Sequence, residues 1–233
     1  MLKWYAPYRR RTGVKIMIYL DNAATTKVNN EVLEAMIPYF HTHFANPSAS
    51  HKFGLEAGKA VEKAREYCAE LIGANPEEII FTSCGTESDN TALFSVPENS
   101  HIITSRTEHH AVLNPCKKLE ELGCSVTVLS PDESGYISAD SVEKAFNDNT
   151  VMVSIMAANN EIGTISDIKA IGILCRSRNV LFHTDAVQAF GHIPMDVNDM
   201  KIDLLSASGH KLGGPKGVGL LYARKGVSIL PRL

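Results

Sequence analysis

A chain of 233 residues is long enough for one large domain, at about 150 residues per domain, and can bury a core without disulfide or metal staples. Hydrophobic residues make up 44% and charged residues 21% of it, ordinary globular values that exclude disordered and low-complexity classes. The formal net charge of −3 argues against a dedicated nucleic-acid binder.

Charge is unevenly spread. Residues 1–16 hold Lys3, Arg9, Arg10, Arg11 and Lys15 and no acid, so the remainder is net acidic. We expect this basic stretch to be an unstructured leader, or to precede a true start at Met17. No apolar core follows the arginines, which argues against a secretory signal. The longest apolar run, Val151 to Ala158, is too short to cross a bilayer and reads as a buried strand, so no membrane association is expected. The five cysteines (Cys68, Cys84, Cys116, Cys124, Cys175) are odd in number and contain no C-x-x-C pair. That excludes a disulfide framework or zinc site and favours a reducing, cytoplasmic setting.

From residue 31 onward the elements alternate. Helices are predicted over 31–40 and 53–72, then a strand over 78–82 and a helix over 87–95. A strand at 101–104, a helix at 111–122 and a strand at 125–129 follow. Next come a helix at 139–146, a strand at 151–157, a helix at 168–178, and strands at 180–183, 203–206 and 217–223. This β-α-β-α order, with continuously apolar strands such as Val151-Met-Val-Ser-Ile-Met156, implies one α/β domain. Its sheet is mostly parallel, with helices on both faces.

Ligands of such sheets bind beyond the carboxyl ends of the strands, and a polar group follows one strand after another. Thr82-Ser-Cys-Gly85-Thr86-Glu-Ser88 opens a helix whose N–H groups can cradle a phosphate, or forms an ordinary cap. His109 or His110 can stack on a flat ligand or move a proton; local sequence does not separate them. In Ala158-Asn159-Asn160-Glu161, one amide can donate to a ligand oxygen while its neighbour braces the turn. Asp185 is either a helix N-cap or the counter-charge of a buried cation. Lys211, beside Ser208 and His210, is either a surface charge or a desolvated amine able to form an imine. The combination fits pyridoxal 5′-phosphate: amine, carboxylate for the ring nitrogen, and helix N-terminus for the phosphate.

Several runs then make a specific match. Tyr19-Leu-Asp-Asn-Ala-Ala-Thr-Thr26, Asn46-Pro-Ser-Ala-Ser-His51, Thr82-Ser-Cys-Gly-Thr-Glu-Ser-Asp-Asn90 and Thr107-Glu-His109 resemble cysteine desulfurases. So do Asn159-Asn-Glu-Ile-Gly163, His183-Thr-Asp-Ala-Val-Gln188 and Ser208-Gly-His-Lys-Leu-Gly-Gly-Pro-Lys-Gly217. The resemblance, from Met17 to the C-terminus, implies the large domain of a pyridoxal-phosphate-dependent transferase of fold type I. It implies Lys211 as the imine-forming lysine, Asp185 as partner of the ring nitrogen, and His109 as the ring stacked on the cofactor. Asn160 and Gln188 would lie near the phenolic oxygen, and Gly85, Thr86, Ser208 and His210 would contact the phosphate. It further implies L-cysteine as substrate, alanine as product, a homodimer, and a sulfur acceptor such as an iron–sulfur scaffold protein, with no metal, nucleic acid or membrane. The attacking cysteine of such enzymes lies in a smaller C-terminal domain, beyond the last residue here, so this chain is expected to lack full activity alone. Cys84 stands where relatives usually carry glycine, and its side chain is expected to strain that turn. Selenocysteine lyases, aminotransferases and a non-catalytic cofactor-binding remnant stay open as alternatives.

Overall fold

The computed structural model describes residues 7–9 and 15–230. Over part of the basic stretch, where an unstructured leader is expected, the backbones of β1 (Pro7–Arg9) and β2 (Lys15–Met17) pair antiparallel. In their register the Cα of Tyr8 is paired with that of Ile16. The rest of that stretch lies outside the described residues.

The remaining elements are α1 (Asn30–His41), α2 (Lys52–Glu70), β3 (Ile79–Thr82), α3 (Gly85–Leu93), β4 (His101–Ser105), α4 (His110–Glu121), β5 (Ser125–Leu129), α5 (Ala139–Ala145), β6 (Thr150–Ser154), α6 (Ile168–Ser177), β7 (Leu181–Asp185), β8 (Leu204–Ser208) and β9 (Gly219–Ala223). Seven strands form one sheet in the order β3-β9-β8-β7-β6-β4-β5. The run from β8 to β5 is parallel throughout, while β9 is antiparallel to both β3 and β8. The expected mostly parallel sheet is present, and β9 reverses because a tight Gly-rich turn after Ser208 leaves no room for a crossover helix.

Strand side chains alternate between two cores. Ile103, Val153, Phe182, Leu205 and Tyr222 point to the face covered by α2, α5 and α6, where they meet Ala69, Val142, Ile171 and Cys175. Ile102, Met152, Leu204 and Leu221 point the other way, against Ala92 and Leu93 of α3 and Val112 and Cys116 of α4. Helices therefore cover both faces, and the carboxyl ends of β4, β6, β7 and β8 emerge along one edge. By contrast α1 has no buried residue, and Leu33, Ile37 and Phe40 on it are exposed. Among the described residues no helix is long and apolar enough to cross a membrane.

Candidate functional site

The carboxyl edge of the sheet encloses a cavity of about 480 Å³. Gly85, Thr86, His109, Asn160, Asp185, Gln188, Ser208, His210 and Lys211 all line it. Residues from five separate loops thus meet in one place, because each follows a neighbouring strand of the same sheet.

At one end of the cavity stands the N-terminus of α3. Its N-cap, Cys84, supplies no side-chain cap, so the amides of the first turn are left for a ligand. Glu87 instead accepts from the Ser83 amide at 2.6 Å and its hydroxyl at 2.5 Å, steadying the turn from outside. Gly85 must be small: a Cβ there would lie 2.6 Å from Val187 Cγ2 and 3.4 Å from Ser208 Cβ. Cys84 sits at φ −173° and ψ 170°, extended backbone that any residue adopts. The expected strain at that position is therefore absent. Ser208, buried at the end of β8, has a hydroxyl with no hydrogen-bond partner among the described residues.

At the centre, Asp185 is the last residue of β7 and is 4% exposed. One of its oxygens accepts from the Val187 amide at 2.9 Å. Burial raises its pKa, against the Val187 bond and the nearby His109 and Lys211. No helix follows, so the N-cap alternative falls away. Lys211 donates its Nζ to the carbonyl of Ala23, and to that of Ala24 at 2.9 Å. Burial lowers its pKa, opposed by Asp185 and Asp21. The sequence motif containing Asp21–Thr26 therefore roofs the cavity. Gln188 Nε2 also donates to Ala23 O at 2.8 Å, and His210 Nδ1 pairs with Thr25 Oγ1 at 3.0 Å. Thr26 Oγ1 donates to His210 O at 2.8 Å and accepts from the Gly213 amide at 2.8 Å.

His109 is the N-cap of α4; its Nδ1 accepts from the Ala111 amide at 3.1 Å, which leaves the proton on Nε2. Its ring borders the main cavity, whereas His110 lines only a neighbouring groove between α3 and α4. The two asparagines divide their tasks. Asn159 braces the loop, donating to Thr107 O at 2.8 Å and accepting from the amides of Glu161 and Ile162. Asn160 faces the cavity, with its amide on Glu161 Oε1 at 3.0 Å.

Two buried acids escape a strand-end reading. Asp89 of α3 is 1% exposed and lines the cavity. Glu108, just before His109, receives Ser105 Oγ at 2.7 Å and the Met156 amide at 3.0 Å on one oxygen. Burial pushes its pKa up to about 8. The clue for Asp89 is its helical spacing from Gly85, which turns both toward the sheet.

The residues suit pyridoxal phosphate. An unsatisfied buried hydroxyl and an uncapped helix end await an anion. A carboxylate and an amine stand further along the same cavity.

Known proteins resemble this chain in sequence and fold. The chain is 51% identical over 223 residues to a protein of Dictyoglomus turgidum named cysteine desulfurase IscS, covering 94% of this chain and 57% of that protein. It is 52% identical over 221 residues to putative cysteine desulfurase IscS 1 of Bacillus subtilis, covering 93% and 58%. A solved structure described as SspA in complex with cysteine superposes with a TM-score of 0.90 at 45% identity, covering 92% of this chain and 64% of that one. A NifS-like protein gives 0.89 at 42%, covering 93% and 61%. The chain thus spans little more than half the length of these curated relatives. Residues 18–230 match the aminotransferase class-V family, and the chain belongs to that family.

Proposed function

We propose that residues 17–233 form the cofactor-binding domain of a cysteine desulfurase, which takes L-cysteine to L-alanine and passes on its sulfur. The observation that carries this reading is the meeting of Lys211, Asp185, His109 and an uncapped α3 N-terminus around one cavity. When bound, pyridoxal phosphate supplies a ring that accepts electrons from the substrate's reacting bonds.

Within this reading each side chain has a task. The α3 amides, Thr86, Ser208 and His210 hold the phosphate, and Gly85 leaves room for it. Asp185 presents a carboxylate to the ring nitrogen, a charge its burial would otherwise disfavour. Lys211, held by the Ala23 and Ala24 carbonyls and with a lowered pKa, would supply the amine that holds the cofactor. His109 would offer its ring face to the cofactor and its Nε2 proton for transfer, and Asn160 and Gln188 would hold the phenolic oxygen.

The sulfur-accepting cysteine is not among the described five. Burial pushes Cys116 and Cys175 up to about 12, and Cys124 is buried. Cys68 is held up by burial in α2. Cys84 is the N-cap of α3, the element this reading gives to the phosphate. We therefore place that cysteine outside these 233 residues, with a sulfur-acceptor protein as final recipient. The exposed Leu33, Phe40, Phe44 and Phe53 support a homodimer or a further domain over α1 and the start of α2. The five unpaired cysteines fit a cytoplasmic protein.

The test is to add pyridoxal phosphate to the purified chain. We expect a yellow protein whose cofactor becomes permanently attached on borohydride reduction, with both properties lost in Lys211→Ala. A chain that stays colourless at saturating cofactor refutes the assignment. Sulfide release from cysteine by this chain alone would refute our placement of the sulfur-accepting cysteine.

A further inference from the structure

The cavity that Asp185 lines holds a second buried acid, Asp89, that none of these roles uses. It projects from α3 toward the sheet, is 1% exposed, and borders the same cavity. Its Oδ1 has no hydrogen-bond partner among the described residues and lies 3.6 Å from His183 Nε2. His183 is fully buried on β7, with Nδ1 on Ser154 Oγ at 2.8 Å and Nε2 on Ser206 Oγ at 3.1 Å. A carboxylate in such a place would need a cation, and an ionised oxygen without a partner is among the costliest groups to bury.

We propose that Asp89 is a positioning residue that keeps its proton on the cavity it shares with Asp185, so that the two buried acids carry one negative charge between them and that charge faces the ring-nitrogen position. The last part rests on the function proposed above; the sharing of one charge does not.

The surroundings support it from every side. Besides its burial, Asp185 on β7, Glu108 ahead of α4 and Cys84 at the N-cap of α3 all push the Asp89 pKa upward, and Ser206 alone opposes them. His183 is no counter-ion, because burial pushes it down to about 3 and keeps the ring neutral. Lys211 and His109 act on Asp185, favouring its charged form. The asymmetry decides which acid ionises: Asp185 has the Lys211 amine nearby and a backbone donor, Asp89 has neither. Two carboxylates buried on one cavity disfavour each other's ionisation, so the pair titrates as a unit.

The test uses the chain without cofactor, with aspartate carboxyl carbons isotopically labelled for nuclear magnetic resonance. The resonance that disappears in Asp89→Asn is expected to titrate well above the ordinary carboxylate range. In Asp185→Asn it should move down by about one pH unit or more as the like charge is removed. Ring nitrogen shifts of His183 should show a neutral imidazole at neutral pH. An Asp89 that ionises in the ordinary range, ignores Asp185→Asn, or pairs with a doubly protonated His183 overturns the proposal. Should Asp89→Asn fail to fold, infrared detection of a protonated carboxyl at neutral pH in the unaltered chain, together with Asp185→Asn, decides the same point. A wild-type chain that binds no pyridoxal phosphate would sink the proposed function while leaving this titration informative.

Discussion

Glu108 offers a measurable link between burial and pH. One oxygen is satisfied by Ser105 Oγ and the Met156 amide; the other has no partner among the described residues. Burial lifts its pKa from an ordinary 4.5 to about 8. The unfolded chain therefore releases this proton at lower pH than the folded chain, and stability falls as pH rises between those two values. It is fully present below the lower one and lost by the upper one. The slope is about 1.4 kcal/mol per pH unit, so the loss reaches about 3 kcal/mol at neutral pH. Glu108→Gln keeps the acceptor oxygen and cannot ionise. Its unpartnered amide adds a fixed cost of about 1–3 kcal/mol, so the slope carries the information and the offset does not. Urea unfolding of both chains without cofactor, at about pH 5, 6, 7 and 8, should show the variant gaining on wild type steadily and levelling near pH 8. A stability difference that is flat across that range would refute the claim that Glu108 is buried as a neutral acid.

Three further outcomes are expected. In Gly85→Ala the new Cβ meets Val187 at 2.6 Å. The overlap costs about 1–3 kcal/mol against about 1 gained in helix propensity, so a modest fall in urea midpoint should accompany at least an about tenfold loss of pyridoxal-phosphate affinity; unchanged affinity would mean the cradle lies elsewhere. A thiol reagent at neutral pH should label Cys84 well before buried Cys116 and Cys175, whose pKa values are pushed up to about 12. Pyridoxal phosphate should slow that labelling, and mass spectrometry of the modified peptide would show whether it does. Asn159→Ala removes three hydrogen bonds that hold the loop, which should cost about 1–3 kcal/mol. Hydrogen exchange at Glu161 and Ile162 should quicken; unaltered exchange would show the loop is held by other means.

Much of this arrangement was readable before any coordinates. Apolar strands alternating with amphipathic helices specify a parallel sheet, and a parallel sheet puts strand-end polar residues on one edge. That is why Asp185, the pair Asn159 and Asn160, and Lys211 stand out together in the sequence. Local sequence could not rank His109 over His110, since the choice depends on which ring the N-cap geometry turns into the cavity. Nor could it reveal β9 running backwards, because strand order is set by tertiary pairing and not by periodicity. Asp89 escaped notice inside a helix, where an acid ordinarily reads as solvent-facing. The cavity roof, although part of a recognised motif, gained a role only when Ala23 and Ala24 were seen to hold Lys211 through their carbonyls, which no side-chain pattern encodes.

The position of β9 bears on how this protein comes into being during synthesis. Ile79 pairs with Tyr222 and Thr82 with Gly219, so among the described residues β3 hydrogen-bonds to the sheet only through a strand far downstream in the sequence. Thr26 and His210 are likewise 184 residues apart. An emerging polypeptide can build the β4–β7 middle early, while β3 waits, unpaired, until β9 has been made. Such late closure lengthens exposure to chaperones and proteases, and any truncation that removes Gly219–Ala223 would cut β3 adrift.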